Sequence, residues 1–224
     1  MFLGHYGLAL AAKRAAPRTS LGTLAFAAQF LDQLWPFLLL AGVERVKITP
    51  GITAANALEF EHYPISHSLL TAALWAALVG GIYAAVRKYG RGAWVVGGLV
   101  LSHWFLDLPM HRPDLPLWPG SDVKVGLGLW NSIPITLVAE IGVFAVGLVV
   151  YLRTTRARDA IGRWAPWGLA ALLVAIFVGS ALGPPPPSAQ AVAYSSLGLW
   201  LFVAMAWWAD RHREVVDAAP SRSR

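Results

Sequence analysis

The sequence has 224 residues, and its mean hydropathy of +0.55, with 57% hydrophobic and 13% charged residues, excludes an ordinary soluble domain and indicates an integral membrane protein. The net charge of +6 does not indicate a nucleic-acid-binding protein, because the basic residues lie in short tracts between apolar runs. The sequence has no cysteine, so disulfide bonds and thiolate metal sites are excluded and any metal must be bound by His, Asp or Glu.

Apolar runs divide the chain into predicted membrane spans. A helix needs about 20 apolar residues to cross a bilayer, and six runs approach or exceed this length: 20–42, 65–86, 92–108, 129–152, 165–183 and 190–209. The run before them, 1–12, reaches only about 18 Å as a helix, against a hydrocarbon core of about 30 Å. We therefore predict an all-α membrane protein, a bundle of about seven transmembrane helices with a short first helix. Residues 1–210 would form one transmembrane domain and 211–224 a polar cytoplasmic tail.

Basic residues predict the orientation of this bundle. Fourteen of the 18 Lys and Arg residues would lie on one side of the membrane, and four would lie on the other: Arg45, Lys47, Arg112 and Lys124. Because Lys and Arg are enriched in cytoplasmic loops, we expect the N-terminus and the loops 43–64 and 109–128 to lie outside, and the C-terminus to lie in the cytoplasm.

The most informative stretch, residues 101–111, lies at the end of the apolar run 92–108. If this stretch is helical, His103 and Asp107 stand one turn apart on one face, which is a metal-ligand spacing. A carboxylate in the middle of a membrane span costs roughly 2.5 to 3.5 kcal/mol on insertion scales. A partner must therefore offset this cost, and a metal ion, a proton or another side chain are the candidates.

Other polar side chains in the predicted spans are few and are concentrated in the same part of the protein. The carboxylates there are Asp32, Asp107 and Glu140, and five of the six histidines lie in the first half of the chain: His5, His62, His67, His103 and His111. Estimated depths overlap enough for a shared cavity in the outer half of the bilayer. The mixture of imidazoles and carboxylates favours zinc, or manganese and non-haem iron. A proton relay remains open, because keeping one Asp neutral at pH 7 costs only about 4 kcal/mol.

These residues give a predicted site. The expected metal ligands are His5, Asp32, His67, His103 and Asp107, and Glu140 or His111 would act as a general base or would orient a ligand. Each also has a plainer interpretation. His5 could be a packed, hydrogen-bonded core residue, His62 and His111 could be surface residues, and Glu140 could pair with a buried His or Arg.

Four motifs in the first 110 residues resemble those of the bacterial membrane-bound metal-dependent hydrolase family typified by YdjM. They are Gly4-His5-Tyr6-Gly7-Leu8, Phe30-Leu31-Asp32, His62-Tyr63-Pro64-Ile65-Ser66-His67-Ser68-Leu69-Leu70 and Ser102-His103-Trp104-Phe105-Leu106-Asp107. The chain departs from the family pattern at Leu34, where a second acidic residue is usual, and at Tyr63, where Arg is usual. The order of these histidines and aspartates is also similar to that of zinc-dependent phospholipase C and P1-type nucleases. The resemblance implies a protein of the bacterial inner membrane.

The sequence thus supports one functional hypothesis and two alternatives. The hypothesis is a membrane-embedded hydrolase that uses a divalent metal, zinc being the first candidate, to cleave an ester or phosphoester of a lipid or lipid-linked substrate. A proton or cation transporter would use the same intramembrane acids. A non-catalytic accessory subunit would instead bind a membrane protein partner through the Trp-rich second half. The expected partners are the lipid bilayer and a lipid-like substrate, with no nucleic acid.

Overall fold

The computed structural model describes residues 1–216, of which 67% are helical, and this confirms the predicted all-α class. Ten α-helices are found in this part of the chain. They are α1 (Leu3–Ala15), α2 (Leu21–Ala28), α3 (Phe30–Leu40), α4 (Pro64–His67), α5 (Leu69–Arg87), α6 (Gly90–Met110), α7 (Ile133–Thr154), α8 (Ala160–Leu182), α9 (Ala189–Ser196) and α10 (Leu199–Arg211).

The number of possible membrane spans agrees with the sequence prediction. Five helices or helix pairs are long and apolar enough to cross a membrane: α5, α6, α7, α8 and the pair α9–α10. The pair α2–α3 makes a sixth span if it is counted as one, and it is bent by 55°. Helix α1 has 13 residues and is too short to span, as the length of its apolar run predicts. The direction of the bundle across the membrane stays a prediction.

Three short antiparallel two-stranded sheets lie at the ends of the bundle, and the sequence analysis did not predict them. Strand β1 (Arg45–Ile48) pairs with β2 (Leu58–His62), β3 (Leu115–Pro116) with β4 (Lys124–Val125), and β5 (Thr155–Ala157) with β6 (Arg213–Val215). The first two hairpins follow α3 and α6, at the end of the bundle where α6 ends. The third joins the end of α7 to the start of the segment predicted as a tail. The rest of that tail, 217–224, lies outside the described residues.

Helix α1 lies inside the bundle because it packs backbone to backbone against α7. A Cβ atom added to Gly147 of α7 would collide with the carbonyl of Gly7, and one added to Gly7 would collide with the backbone of Val143 and Phe144. Small residues allow helices to approach this closely in membranes. The close packing buries α1 together with His5, which is fully shielded from solvent and lipid.

Two helix breaks position the polar residues. The bend between α2 and α3 falls at Gln29, so Ala28 lies in the last turn of α2, where backbone carbonyls lack intrahelical partners. The second break falls at Ser68, whose extended backbone separates α4 from α5 and whose hydroxyl accepts a hydrogen bond from the Thr71 N–H at 3.3 Å. The apolar run predicted one continuous helix here. The break turns α4 inward and so buries His67.

Candidate metal centre

Six side chains from four helices and one loop converge at the end of the bundle where α6 ends. They are His5 on α1, Asp32 on α3, His67 on α4, His103 and Asp107 on α6, and His111 directly after α6. All are buried except Asp32, whose side chain is 26% exposed. The structure therefore brings the five predicted metal ligands together, with His111 beside them.

The two carboxylates face the Nε2 atoms of three histidines. Asp32 Oδ1 lies 3.3 Å from His67 Nε2 and 3.6 Å from His103 Nε2. Asp107 Oδ2 lies 3.3 Å from His103 Nε2 and 3.9 Å from the Nε2 atoms of both His67 and His111. Nitrogen and oxygen atoms from α3, α4, α6 and the loop after α6 therefore surround a common point between the two carboxylates.

The second oxygen of Asp107 has different partners. Oδ1 lies 3.2 Å from His5 Nε2 and accepts a hydrogen bond from the amino group of Met1. The His5 ring stacks on the His103 ring with centroids 3.7 Å apart and an interplanar angle of 8°. His5 therefore supports two members of the cluster, Asp107 by a polar contact and His103 by stacking.

A chain of hydrogen bonds fixes the tautomer of His67. The buried Glu44 carboxylate accepts a hydrogen bond from the Ser66 hydroxyl at 2.6 Å, and the Ser66 oxygen lies 2.7 Å from His67 Nδ1. Because the only hydrogen of the Ser66 hydroxyl is donated to Glu44, His67 Nδ1 must donate to Ser66. In the neutral ring the lone pair is then on Nε2, the atom that faces Asp32 and Asp107.

The same logic applies to His103 and His111. His103 Nδ1 donates to the Ala28 carbonyl at 2.8 Å, and His111 Nδ1 donates to Asp114 Oδ1 at 2.9 Å, because neither oxygen can donate. Asp114 also accepts a hydrogen bond from the Tyr63 hydroxyl at 3.1 Å. Burial and the nearby Asp114 carboxylate raise the pKa of Tyr63 well above its usual value, so the phenol stays a donor. Burial lowers the pKa of His111, which favours the neutral ring.

The resulting set of ligand atoms fits a divalent metal. Three imidazoles direct their Nε2 atoms towards two carboxylates, and in their neutral form these rings would present lone pairs there, because each Nδ1 is used in a hydrogen bond. His103 Nε2 is buried and has no hydrogen-bond partner within residues 1–216. Two groups of potential ligands lie within 4.8 Å, His5–His103–Asp107 and Asp32–His67–His103. Nitrogen and carboxylate oxygen are ligands for zinc, manganese and iron, and second hydrogen bonds of this kind orient metal-bound histidines.

A cavity of about 740 Å³ opens beside the cluster. Asp32, His67, Asp107 and His111 line one part of it, together with Trp130. The loop between β1 and β2 covers this part, and the Ala55 N–H in that loop donates to the Trp130 carbonyl at 2.9 Å. The volume is within the range of about 300 to 1,000 Å³ that is usual for small-molecule sites.

A comparison with protein families identifies the family of this chain. A family model described as "YdjM inner membrane protein" matches residues 2–184, which include all six residues of the cluster. The chain belongs to the YdjM family. This is a family of inner membrane proteins, which confirms the predicted location. Comparison with curated proteins and with solved structures gave no match.

Within this YdjM-family chain, Glu140 holds the start of α1. Its carboxylate accepts hydrogen bonds from the Phe2 N–H at 2.9 and 3.0 Å and from the Gly4 N–H at 3.1 Å. A negative charge is favoured at a helix N-terminus, where the N–H groups lack intrahelical partners. Glu140 also lines the cavity. The alternative in which Glu140 pairs with a His or Arg is not needed to explain its burial.

His62, the first residue of the His-x4-His block, lies away from the cluster. It is exposed on strand β2, whereas His67 is buried. The strand ends at His62 and the chain turns into α4 at Pro64, so the two histidines of the motif have different environments. His62 is therefore a suitable control for the buried histidines of this YdjM-family protein.

Sequence reasoning missed three residues that orient the YdjM-family cluster. Ser66 lies within the His-x4-His block, and Asp114 follows His111 by three residues, so both stood close to predicted residues. Glu44 had no such signal, because it meets Ser66 only after the β1–β2 hairpin returns the chain. Tyr63, where the family usually has Arg, bonds to Asp114 and thereby contributes to the orientation of His111.

Proposed function

We propose that this protein is a membrane-embedded metal-dependent hydrolase that cleaves an ester or phosphoester of a lipid or lipid-linked substrate. The observation that carries the proposal is the convergence of three histidine Nε2 atoms on two carboxylates beside a cavity between apolar helices. Such a set is costly in an apolar environment unless a cation binds to it. Membership of an inner membrane protein family supports a substrate that is available in the bilayer.

Four residues would hold the ion: Asp32, His67, His103 and Asp107 through Oδ2. His103 can bind a metal only through Nε2, because its Nδ1 is bonded to the Ala28 carbonyl. The two groups of potential ligands share His103, so only one of them can use it to bind an ion. Each group has three members, but Asp107 Oδ2 lies 3.3 Å from His103 Nε2 and 3.9 Å from His67 Nε2, so the group with Asp32 and His67 gains a fourth ligand and is the principal site. His5 then acts as a ligand-supporting residue at Asp107 Oδ1.

A bound divalent ion would supply a Lewis acid that polarises the scissile ester or phosphoester and makes water more acidic. The chain itself supplies a group that moves protons. His111 is held by Asp114 through Nδ1, so its Nε2 atom, which lies at the cavity wall, can accept a proton from water and return it to the leaving group. The apolar packing around His111, including Phe60 and Trp130, keeps the ring in this position.

Metal analysis tests the proposal directly. The full chain would be purified in detergent from cells grown with zinc, and its metal content measured by mass spectrometry. We expect about one equivalent of divalent metal per chain, and a loss of most of it in His103→Ala and Asp32→Asn, because each substitution removes or weakens one of the four proposed ligands. The matched control is His62→Ala, which removes an exposed histidine from the same motif.

The outcomes separate the alternatives. Equal metal content in His103→Ala and His62→Ala, with both variants eluting as folded protein, would refute the metal centre. A metal-free wild type that takes up protons through Asp32 or Asp107 would instead support the transporter alternative. Metal binding without release of any product from phosphatidylglycerol and phosphatidylethanolamine vesicles would remove the hydrolase assignment for these lipids while leaving the metal centre intact.

A further inference from the structure

The cavity beside the metal centre continues into an apolar part that the proposed chemistry does not use. This part is lined by side chains of the last three helices: Phe177 and Ala181 of α8, Val192 of α9, and Leu199 and Phe202 of α10. None of the described cavity-lining residues from these helices is Asp, Glu, Lys or Arg. The cavity is therefore amphipathic, with imidazoles and carboxylates in one part and an uncharged wall in the other.

Helices α8 and α9 diverge at this point. The main packing partners of α8 are α10 and strand β5, whereas those of α9 are α3 and strand β1. The two helices are joined by the segment 183–188, which contains Pro184, Pro185, Pro186 and Pro187 and is stiff for that reason. Gly183 and the first three of these prolines line the cavity. The connector thus spans the gap between α8 and α9 at the end of the bundle.

The gap reaches the surface of the bundle. Ile176 of α8 lines the cavity and is also 41% exposed, and Ser180 of α8 and Ser195 of α9 likewise line the cavity and are exposed. Helix α8 is one of the candidate membrane spans, and α9 forms another together with α10. The opening between them therefore faces the lipid and lies beside the apolar part of the cavity.

We propose that the apolar part of the cavity binds one hydrocarbon chain of a membrane lipid, which enters laterally between α8 and α9. The polar end of that lipid would then lie at Asp32, His67, Asp107 and His111. This chain site extends the proposed function. The role of the lipid as a substrate rests on that proposed function. It specifies a substrate with a hydrocarbon chain attached to its ester or phosphoester, and it excludes a small polar substrate that reaches the site only from water.

Photo-crosslinking tests the chain site. The full protein would be placed in nanodiscs of phosphatidylethanolamine and phosphatidylglycerol that contain a phosphatidylglycerol with a diazirine near the methyl end of one acyl chain. We expect labelling of Phe177 and Phe202, which are only 6% and 9% exposed, in addition to labelling of lipid-facing side chains such as Leu182 and Leu201. Peptide mass spectrometry identifies the labelled residues.

Ala181→Trp fills the apolar part of the cavity. We expect it to reduce the labelling of Phe202 by about tenfold, which corresponds to about 1.4 kcal/mol of lost binding free energy, while the labelling of Leu201 is unchanged. The matched control is Ala175→Trp, the same substitution on the exposed face of α8. Ser196→Trp fills the cavity from the α9 side and gives the same test independently, so a folding defect in one variant does not decide the result.

The outcomes distinguish the chain site from the metal centre, because metal is measured in the same samples. A wild type without label on Phe177 and Phe202, or labelling that persists in both Ala181→Trp and Ser196→Trp, overturns the chain site even if metal is bound. Blocked labelling in these two variants supports the chain site, and it does so even if the wild type proves to be metal-free, in which case the proposed hydrolase chemistry alone would fail.

Discussion

Glu44 shows how a residue outside the proposed metal ligands can determine the geometry of one of them. Its carboxylate is buried and accepts three hydrogen bonds, from the N–H groups of Ile65 and Ser66 and from the Ser66 hydroxyl. The first two hold the backbone of α4, and the third fixes the tautomer of His67 through Ser66. Orientation of a ligating histidine by its second nitrogen commonly contributes 10- to 100-fold to metal affinity, in order of magnitude.

Glu44→Gln should therefore weaken metal binding without removing a ligand. The amide can present an N–H where the carboxylate accepted a hydrogen bond from the Ser66 hydroxyl. The Ser66 hydroxyl is then free to donate to His67 Nδ1, and the tautomer of His67 is no longer fixed. We expect the dissociation constant for zinc to rise by about 10- to 100-fold, measured by competition with a chelator. The control is Glu61→Gln, which changes an exposed glutamate of β2. Unchanged affinity in Glu44→Gln would show that the Glu44–Ser66 chain does not control His67.

His111 should be separable from the metal ligands by experiment. Its Nε2 atom is 3.9 Å from Asp107 Oδ2, whereas the Nε2 atoms of His67 and His103 also approach Asp32 Oδ1, at 3.3 and 3.6 Å. We expect His111→Ala to keep its metal and to lose about 10²- to 10⁴-fold in the rate of lipid hydrolysis, the range usual for a proton-transfer residue. Product release from phosphatidylglycerol vesicles and metal content are measured together, with His62→Ala as the control. Loss of metal in His111→Ala would make His111 a ligand instead.

At the scale of elements, the cluster depends on breaks that apolar runs do not reveal. Runs 20–42 and 65–86 look continuous in hydropathy, yet the chain bends at Gln29 and separates α4 from α5 at Ser68. The first break leaves the Ala28 carbonyl available to His103, and the second places His67 next to Asp32. Hydropathy reports which residues avoid water, and it contains little information about local changes in helix direction.

The close contact between α1 and α7 gives an element-scale prediction. Gly147→Ala places a Cβ against the Gly7 carbonyl, which is backbone and cannot move aside without shifting α1. We expect the free energy of unfolding to fall by about 1 to 3 kcal/mol, the usual cost of overpacking. It is measured by titration with SDS in dodecyl maltoside micelles. Gly142→Ala on the same helix is the control, because a Cβ there has no atom within 4 Å. Equal stability of the two variants would contradict the backbone-to-backbone packing.

At the scale of the whole molecule, the sequence was sufficient for the class of fold and for the convergence of the predicted ligand residues. Charged and imidazole groups are costly in lipid, so the few that occur in apolar runs are expected to contact one another. Asp32, His67, His103 and Asp107 were predictable on this ground. Glu44 was not, because it lies in a loop, where a carboxylate carries no such cost and therefore gives no signal.

The orientation of the bundle is the remaining whole-molecule prediction, and it decides which side of the inner membrane the metal centre is closer to. Fourteen basic residues against four predict that the hairpins β1–β2 and β3–β4 lie outside.

The chain has no cysteine, so a single introduced thiol can be labelled without background. We expect a membrane-impermeant maleimide to label Asp122→Cys in intact spheroplasts, because this exposed residue lies between β3 and β4. Gly90→Cys, exposed at the start of α6 and with open space for its side chain, should react only after the membrane is disrupted. The reverse pattern would place the metal centre in the cytoplasmic half of the bilayer, and the substrate would then have to be a lipid of the inner leaflet.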